Sequence, residues 1–148
     1  MITDTLKVLF KRDLEQVKTE IKLYTIEEDL WIINNSISNS AGNLCLHIIG
    51  NLNATIGAGL AKTGYIRQRE LEFSLKGISR AKLISQIDAL IITIENGLNS
   101  LTESQMTDDF PDTIWKKSHK TEYTLVLLIS HLSYHLGQIN YHRRLLDH

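Results

Sequence analysis

The sequence predicts an all-α protein, a four-helix bundle that forms a single domain over residues 1–148. Three observations predict this fold class. A single proline, Pro111, interrupts the chain, the alternating pattern typical of strands is scarce, and long segments repeat apolar residues at intervals of three and four. The length of 148 residues suits one domain with a hydrophobic core of its own.

The first predicted helix covers residues 5–23, and the second covers residues 42–60. The apolar side of the first consists of Leu6, Leu9, Phe10, Leu14, Val17 and Ile21. The polar stretch between them, INNSISNSAG, and the asparagine after it offer four candidate N-caps for the second helix: Ser36, Ser38, Ser40 and Asn43. The inner stripe of the second helix consists of Leu44, Ile48, Leu52 and Thr55.

The third predicted helix runs from a cap at Ser79 to residue 101, and the fourth covers residues 121–146. The core side of the third consists of Leu83, Ile84, Ile87, Leu90, Ile91, Ile94 and Leu98. The core side of the fourth consists of Leu125, Leu128, Ile129, Leu132, Leu136 and Ile139. The connections over residues 62–78 and 102–120 are longer than most loops, so either could cover a functional site. The second contains DFPDTIWKKSH, which could form a short hairpin.

The composition, with 43% apolar and 22% charged residues, indicates a water-soluble globular protein. A net charge of −1 lacks the basic excess of general nucleic-acid-binding proteins. No segment approaches the ~18 apolar residues of a membrane span, and the start, MITDTLKVLFKRD, does not resemble a secretion signal. The single cysteine, Cys45, rules out an internal disulfide. We therefore expect a cytoplasmic protein with no membrane or nucleic-acid partner.

Three of the six histidines lie close together in HLSYHLGQINYHRR, near the C-terminal end. On a helix that turns about 100° per residue, His131, His135 and His142 share one stripe. His131 and His135 are about 6 Å apart along the axis and can bind one ion, whereas His142 lies roughly 16 Å from His131 and cannot. The alternative is a chance pair of helix-surface histidines. We assign His142, Arg143 and Arg144 to a basic helix end that the helix dipole stabilises.

His47 borders the apolar arc of the second helix, with Asn51 one turn further on. Together with the pair on the fourth helix, it would bind Zn²⁺ or a similar ion and leave a coordination position open, as in catalytic sites. This requires the second and fourth helices to pack together. The alternative is a histidine that is hydrogen-bonded to a backbone carbonyl. Spacing places no carboxylate beside the histidines, so a general base is not evident.

The segments GNLCLHIIGNLN and HLSYHLGQI resemble motifs of the DinB/YfiT-like superfamily of bacterial proteins. They are similar to one branch in particular, which has His-Leu-x-Gly-Asn-Leu followed by His-x-x-Tyr-His-x-Gly-Gln-Ile. TGYIRQRELEFS also resembles an Arg-x-Arg-Glu-Phe-like segment of that branch, although it has GYIR where a more acidic run is common. The likeness spans residues 6–146.

The resemblance implies a four-helix bundle, a homodimer, and a divalent metal ion held by His47, His131 and His135. Zinc or nickel is the metal it implies first, with manganese or iron as alternatives. Characterised relatives are transferases and isomerases that use low-molecular-weight thiols, and others are described as metal-dependent hydrolases. The implied function is therefore a metal-dependent hydrolase or thiol S-transferase that activates water or a small thiol substrate. The alternative is a non-enzymatic metal-binding or interaction bundle with a stress-related role.

Other polar residues near these motifs are candidates for contact with a histidine or a substrate. Tyr134, Gln138 and Asn51 could hydrogen-bond to a ligand or to a bound molecule. For Tyr134, the alternative is packing in the core or in a dimer. Arg67 and Arg69 could hold an anionic substrate at the mouth of the site, although a solvated charged loop is the commoner arrangement.

Overall fold

The computed structural model describes residues 1–34, 36–111 and 118–148. Its α-helices are α1 (Ile2–Leu23), α2 (Ala41–Leu52), α3 (Arg69–Ser74), α4 (Arg80–Asn99) and α5 (Thr121–Leu146). Short 3-10 helices cover Glu27–Trp31 and Ser104–Thr107. No strand occurs in the described residues, so the predicted all-α class is confirmed. None of the helices described is both long and apolar enough to cross a membrane.

Serine side chains start two of the long helices. Ser40 accepts a hydrogen bond from the backbone N–H of Asn43 at 3.1 Å, and Ser79 accepts one from that of Lys82 at 3.2 Å. Each bond satisfies one of the backbone donors that the first turn of a helix leaves without a partner. Of the four candidate caps for the second helix, Ser40 is therefore the one that acts.

The four long helices form a bundle in which α1 and α2 each contact both α4 and α5. Every long helix contributes fully buried apolar side chains to one core, for example Phe10, Ile48, Ile87 and Leu125. Burial of one such side chain stabilises the fold by roughly 1.5–3 kcal/mol. Because α2 and α5 are neighbours, the packing that the predicted histidine site requires is present.

The second helix does not remain α-helical to residue 60. From Asn53 to Ala58 its backbone continues as a π-helix, which begins two residues after Asn51. At this point Ile56 lies so close to α4 that a Cβ added to Gly97 would be 2.7 Å from its Cγ2 atom. Glycine is therefore required there for close packing, and the π-helical turn lies next to the histidine motif, where such turns are common.

The two long connections carry structure of their own. Residues 62–78, predicted as a loop, contain α3, which packs against α2. The ends of the predicted hairpin DFPDTIWKKSH are joined by an antiparallel bridge between Asp109 and Lys120. The Phe110 N–H donates to the His119 carbonyl at 2.8 Å. Residues 112–117, where the turn of that hairpin would lie, are outside the described residues.

His142 does not belong to a charged helix end, which corrects our interpretation. It is buried, and its Nε2–H donates to the Ile32 carbonyl at 2.9 Å, so its Nδ1 accepts the Tyr24 hydroxyl at 2.6 Å. Burial lowers the pKa of His142, which keeps the ring neutral. The adjacent Arg143 pairs with the buried carboxylate of Glu20 at 2.7 Å.

Candidate metal centre

α2 and α5 bring His47, His131 and His135 together. The Nε2 atom of His131 lies 3.3 Å from Nε2 of His47 and 3.0 Å from Nε2 of His135. One ligand nitrogen from each ring lies within 4.8 Å of the other two. His47 is 8% exposed, whereas the two histidines of α5 are only half-buried. The cluster therefore sits at the rim of the core, where a small molecule can reach it.

The outward nitrogen of His47 is bound by a carboxylate that the sequence analysis did not find. Nδ1 of His47 lies 3.0 Å from Oε1 of Glu72 on α3, and Glu72 is buried. Arg67 donates from Nε and Nη2 to the two oxygens of Glu72, both at 2.9 Å. Burial opposes ionisation of Glu72, but the hydrogen bonds from His47 and Arg67 outweigh it, so its pKa is lowered. The ionised carboxylate only accepts, so the His47 Nδ1–H must be the donor.

Two features of α2 allow α3 to place Glu72 there. The side-chain amide of Asn43 donates to the backbone carbonyls of Glu72 at 2.9 Å and Leu75 at 2.8 Å, which ties α3 to the start of α2. Gly50 faces the carboxyl group of Glu72 so closely that any added Cβ would collide with it. A side chain at residue 50 would therefore push Glu72 away from His47.

The two histidines of α5 also have partners at Nδ1. Oε1 of Gln138 accepts a hydrogen bond from Nδ1 of His135 at 2.7 Å, and the amide of Asn51 lies 3.3 Å from Nδ1 of His131. An amide can turn either its oxygen or its nitrogen toward a ring nitrogen, so Asn51 suits either tautomer of His131. Tyr134 is 65% exposed, so it does not pack in the core. Its ring lies edge-on to the ring of His135, with 5.4 Å between the ring centres, and its hydroxyl accepts a hydrogen bond from Gln138 at 3.4 Å.

These contacts decide what the cluster can bind. The Glu72 carboxylate fixes the hydrogen of His47 on Nδ1, and the oxygen that Gln138 turns to His135 places the hydrogen of that ring on Nδ1 as well, so both Nε2 lone pairs point inward. Without a cation, a single hydrogen on His131 Nε2 must serve both of them. Burial, together with the charges of His135, His47 and Arg67, lowers the pKa of His131 to about 4, so this ring resists protonation. A divalent cation would satisfy every inward lone pair at once.

A cavity of about 310 Å³ opens beside the cluster. His47, His131 and Asn51 form one part of its wall. Arg67 and Arg69, from the segment that leads into α3, form another part, and α5 completes it with two leucines. Arg67 was predicted most simply as part of a solvated loop, but its guanidinium group is bound to Glu72 inside the site.

The structure brings together all three predicted ligands and all three predicted neighbours, Asn51, Gln138 and Tyr134. Glu72 and Gly50 were missed. Gly50 was the available signal in the sequence, because a glycine inside an apolar helix such as α2 can mark a close approach by another part of the chain. Cys45 points into the core, and burial raises the pKa of its thiol to about 12.

An all-α bundle with three histidines at ligand distance defines a class, the helical bundles with a candidate metal centre. Within it, the chain belongs to the family described as "Protein of unknown function (DUF1572)", whose model matches residues 4–148. A solved structure, "Crystal structure of the conserved protein of locus from Enterococcus faecalis", is similar with a TM-score of 0.76. It is 18% identical, and the alignment covers 99% of this chain and 97% of that chain, a likeness that shows the fold alone. No curated protein matches the chain.

Proposed function

We propose that this protein is a divalent-metal-dependent enzyme of the DinB/YfiT-like type, with His47, His131 and His135 as the metal ligands. One observation carries the proposal. The Nδ1 atom of each of the three rings has a partner, in Glu72, Asn51 and Gln138, while the Nε2 atoms converge. Metal-binding histidines in proteins are held in this way, because a partner at one nitrogen fixes the other as the ligand.

The distances within the cluster suit a small divalent ion. Ligand nitrogens about 2.0–2.1 Å from a tetrahedral zinc lie roughly 3.3 Å from one another. The Nε2 atom of His131 is 3.3 Å and 3.0 Å from the other two Nε2 atoms, which matches this spacing, and all three ligand nitrogens lie within 4.8 Å of one another. Three imidazole ligands suit zinc and nickel, whereas manganese prefers oxygen ligands and the common non-haem iron site includes a carboxylate. We therefore favour zinc or nickel.

A bound ion would supply Lewis acidity, which lowers the pKa of a water or a thiol brought to it. The residues of the chain supply position and charge. Glu72 is committed to His47 and Arg67 and is therefore not free to accept a proton from a substrate. No other carboxylate lines the described wall of the cavity. A thiol, with a pKa of about 8.5, needs no such base. Transfer of a small thiol thus fits this site better than hydrolysis does.

A non-enzymatic role has one observation in its favour. The cluster joins α2 to α5, so a bound ion would brace two of the four long helices. A metal that binds only the folded state stabilises a protein by an amount that grows with the logarithm of the binding affinity. Stabilisation by zinc without turnover of any thiol or ester substrate would favour this alternative. The homodimer and the cytoplasmic location stay predictions.

Metal analysis of tag-free protein tests the proposal. We expect a single zinc or nickel ion per chain by mass spectrometry, and loss of that ion in His135→Ala, which keeps a good helix former on α5. His148→Ala serves as the control, because the His148 side chain is 73% exposed and pairs with Asp29 instead. Wild-type protein that stays empty after incubation with zinc and with nickel would overturn the proposal. Turnover of a thiol panel that His135→Ala abolishes would establish the enzymatic form.

A further inference from the structure

The charge of the cavity beside the histidines is uneven. Among the described residues that line it, two carry positive charge, Arg67 and Arg69, and none carries negative charge. The charge of Arg67 is balanced by Glu72, which lies behind the wall. The charge of Arg69 is not balanced in this way.

Arg69 makes no ion pair with any described residue, and its guanidinium group lies instead over the ring of Phe73, 5.1 Å from the ring centre. The Phe73 ring in turn lies 4.9 Å from the ring of His47. Arg69 is therefore one aromatic ring away from a ligand histidine. This stacking holds the guanidinium plane in place while its N–H groups stay free to donate.

Arg67 adds a second donor. Its Nε and Nη2 atoms are used by Glu72, but Nη1 makes no hydrogen bond to the described residues. The opposite wall is apolar, formed by Leu128 and by Leu127, which is 42% exposed. The cavity thus combines a metal-facing end, a wall with free guanidinium donors, and an apolar wall.

We propose that this cavity binds the anionic group of a small substrate, a carboxylate or a phosphate, on Arg69 and on Nη1 of Arg67. The inference rests on the proposed function, since the other end of the substrate would face the three histidines. A guanidinium group is always charged, and its planar set of N–H donors can bind two oxygens of a carboxylate or a phosphate at once. The substrate class is accordingly a small thiol, or other metal-binding molecule, that carries an oxyanion.

Three thiols that share a two-carbon linker and carry an anionic, a neutral or a cationic tail test this inference: mercaptopropionate, mercaptoethanol and cysteamine. The protein is first loaded with Co²⁺, whose stoichiometry is measured, and thiol binding is followed by the change in cobalt absorption. We expect mercaptopropionate to bind most tightly and cysteamine least. In Arg69→Gln the advantage of mercaptopropionate over mercaptoethanol should shrink by about fivefold, the upper range for an exposed ion pair. Arg69→Lys should keep part of that advantage.

Arg144→Gln is the matched control. Arg144 is also exposed and also lies over an aromatic ring, that of Tyr141, at 5.1 Å, but it does not line the cavity. Because a cobalt ion itself favours an anionic tail, only the difference between Arg69→Gln and this control reports on the guanidinium group. Competition experiments with phosphate and with acetate then identify the preferred oxyanion, which is the one that displaces mercaptopropionate at the lower concentration.

The outcomes separate the two proposals. If cobalt does not bind, the metal site is wrong and the inference falls with it. If cobalt binds at full stoichiometry but Arg69→Gln keeps the preference of Arg144→Gln, the anion site is wrong while the metal site stands. Circular dichroism of each variant checks that α3 and the bundle remain folded.

Discussion

Replacement of Glu72 by glutamine is the sharpest test of how the centre is built. The change keeps the size of the side chain but replaces one of its acceptor oxygens with a donor NH₂ group. Three donors point at the two carboxylate oxygens: Nδ1–H of His47, and the Nε and Nη2 groups of Arg67. Glutamine can satisfy those at one oxygen only.

The size of the effect follows from where the NH₂ group goes. If it faces His47, the ring must move its hydrogen to Nε2, which removes that nitrogen as a metal ligand. If the NH₂ group faces Nε of Arg67 instead, two donors face each other in a buried site, and the Nε–H group loses its acceptor. Loss of a residue that orients a metal ligand lowers metal affinity by roughly 10–100-fold, or about 1.4–2.7 kcal/mol. We expect the upper part of this range, because Glu72 is buried and water cannot replace it.

Zinc affinity, measured by competition with a coloured chelator, provides the assay. Glu70→Gln is the matched control: Glu70 lies two residues earlier on the same short helix, is exposed, and makes no contact with the histidines. We expect zinc affinity within about twofold of wild type for this control. Equal zinc affinity in Glu72→Gln and wild type would refute the claim that Glu72 fixes the tautomer of His47.

Two further predictions follow from buried contacts outside the ligands. Gly50→Ala should lower zinc affinity about as much as Glu72→Gln and cost roughly 1–3 kcal/mol of stability through overpacking. Gly137→Ala is the control, because a Cβ there meets nothing within 4 Å, and it should be neutral or stabilising. Equal effects of the two substitutions would contradict the close approach of Glu72 to Gly50. Burial holds the pKa of His142 in the folded chain below its unfolded value of about 6.5. As the pH falls, the unfolded chain therefore protonates His142 before the folded chain does. The free energy of unfolding should consequently fall as the pH drops below about 6.5. Urea unfolding between about pH 7.5 and 5 should find a shallower fall in His142→Gln, and an unchanged pH dependence would count against this role.

The long helices were predictable because their signals are local. Apolar residues at intervals of three and four define the buried side of each helix, and the Ser79 cap and the span of α5 agree with the prediction. The pairing of His131 with His135 is equally local, because both lie on one helix. The convergence of His47 on that pair depends on which helices are neighbours, and this is a property of the whole bundle.

Glu72 could not be predicted in the same way. It reaches His47 because α3 folds back onto α2, where Asn43 binds the end of α3 and Gly50 leaves room for the carboxylate. None of these contacts has a fixed spacing in the sequence. The burial of His142 was missed for a similar reason, since the residues that cover it, Tyr24 and Ile32, lie more than a hundred positions earlier.

The three partners of the cluster differ in how firmly they determine its state. Glu72 presents only acceptor oxygens, so the ligand nitrogen of His47 is fixed before any ion arrives. Gln138 and Asn51 present amides, which can turn. Gln138 directs its oxygen at His135, whereas Asn51 directs its NH₂ group at His131, so His131 can donate from Nε2 when the site holds no ion and switch tautomer when one binds. The cluster therefore has one fixed ligand, His47, and two ligands that can adapt, His131 and His135. Without an ion, the Nε2 lone pairs of His47 and His135 face the N–H group of His131 instead of a third lone pair. Glu72 meanwhile keeps His47 in the orientation that tight metal binding requires.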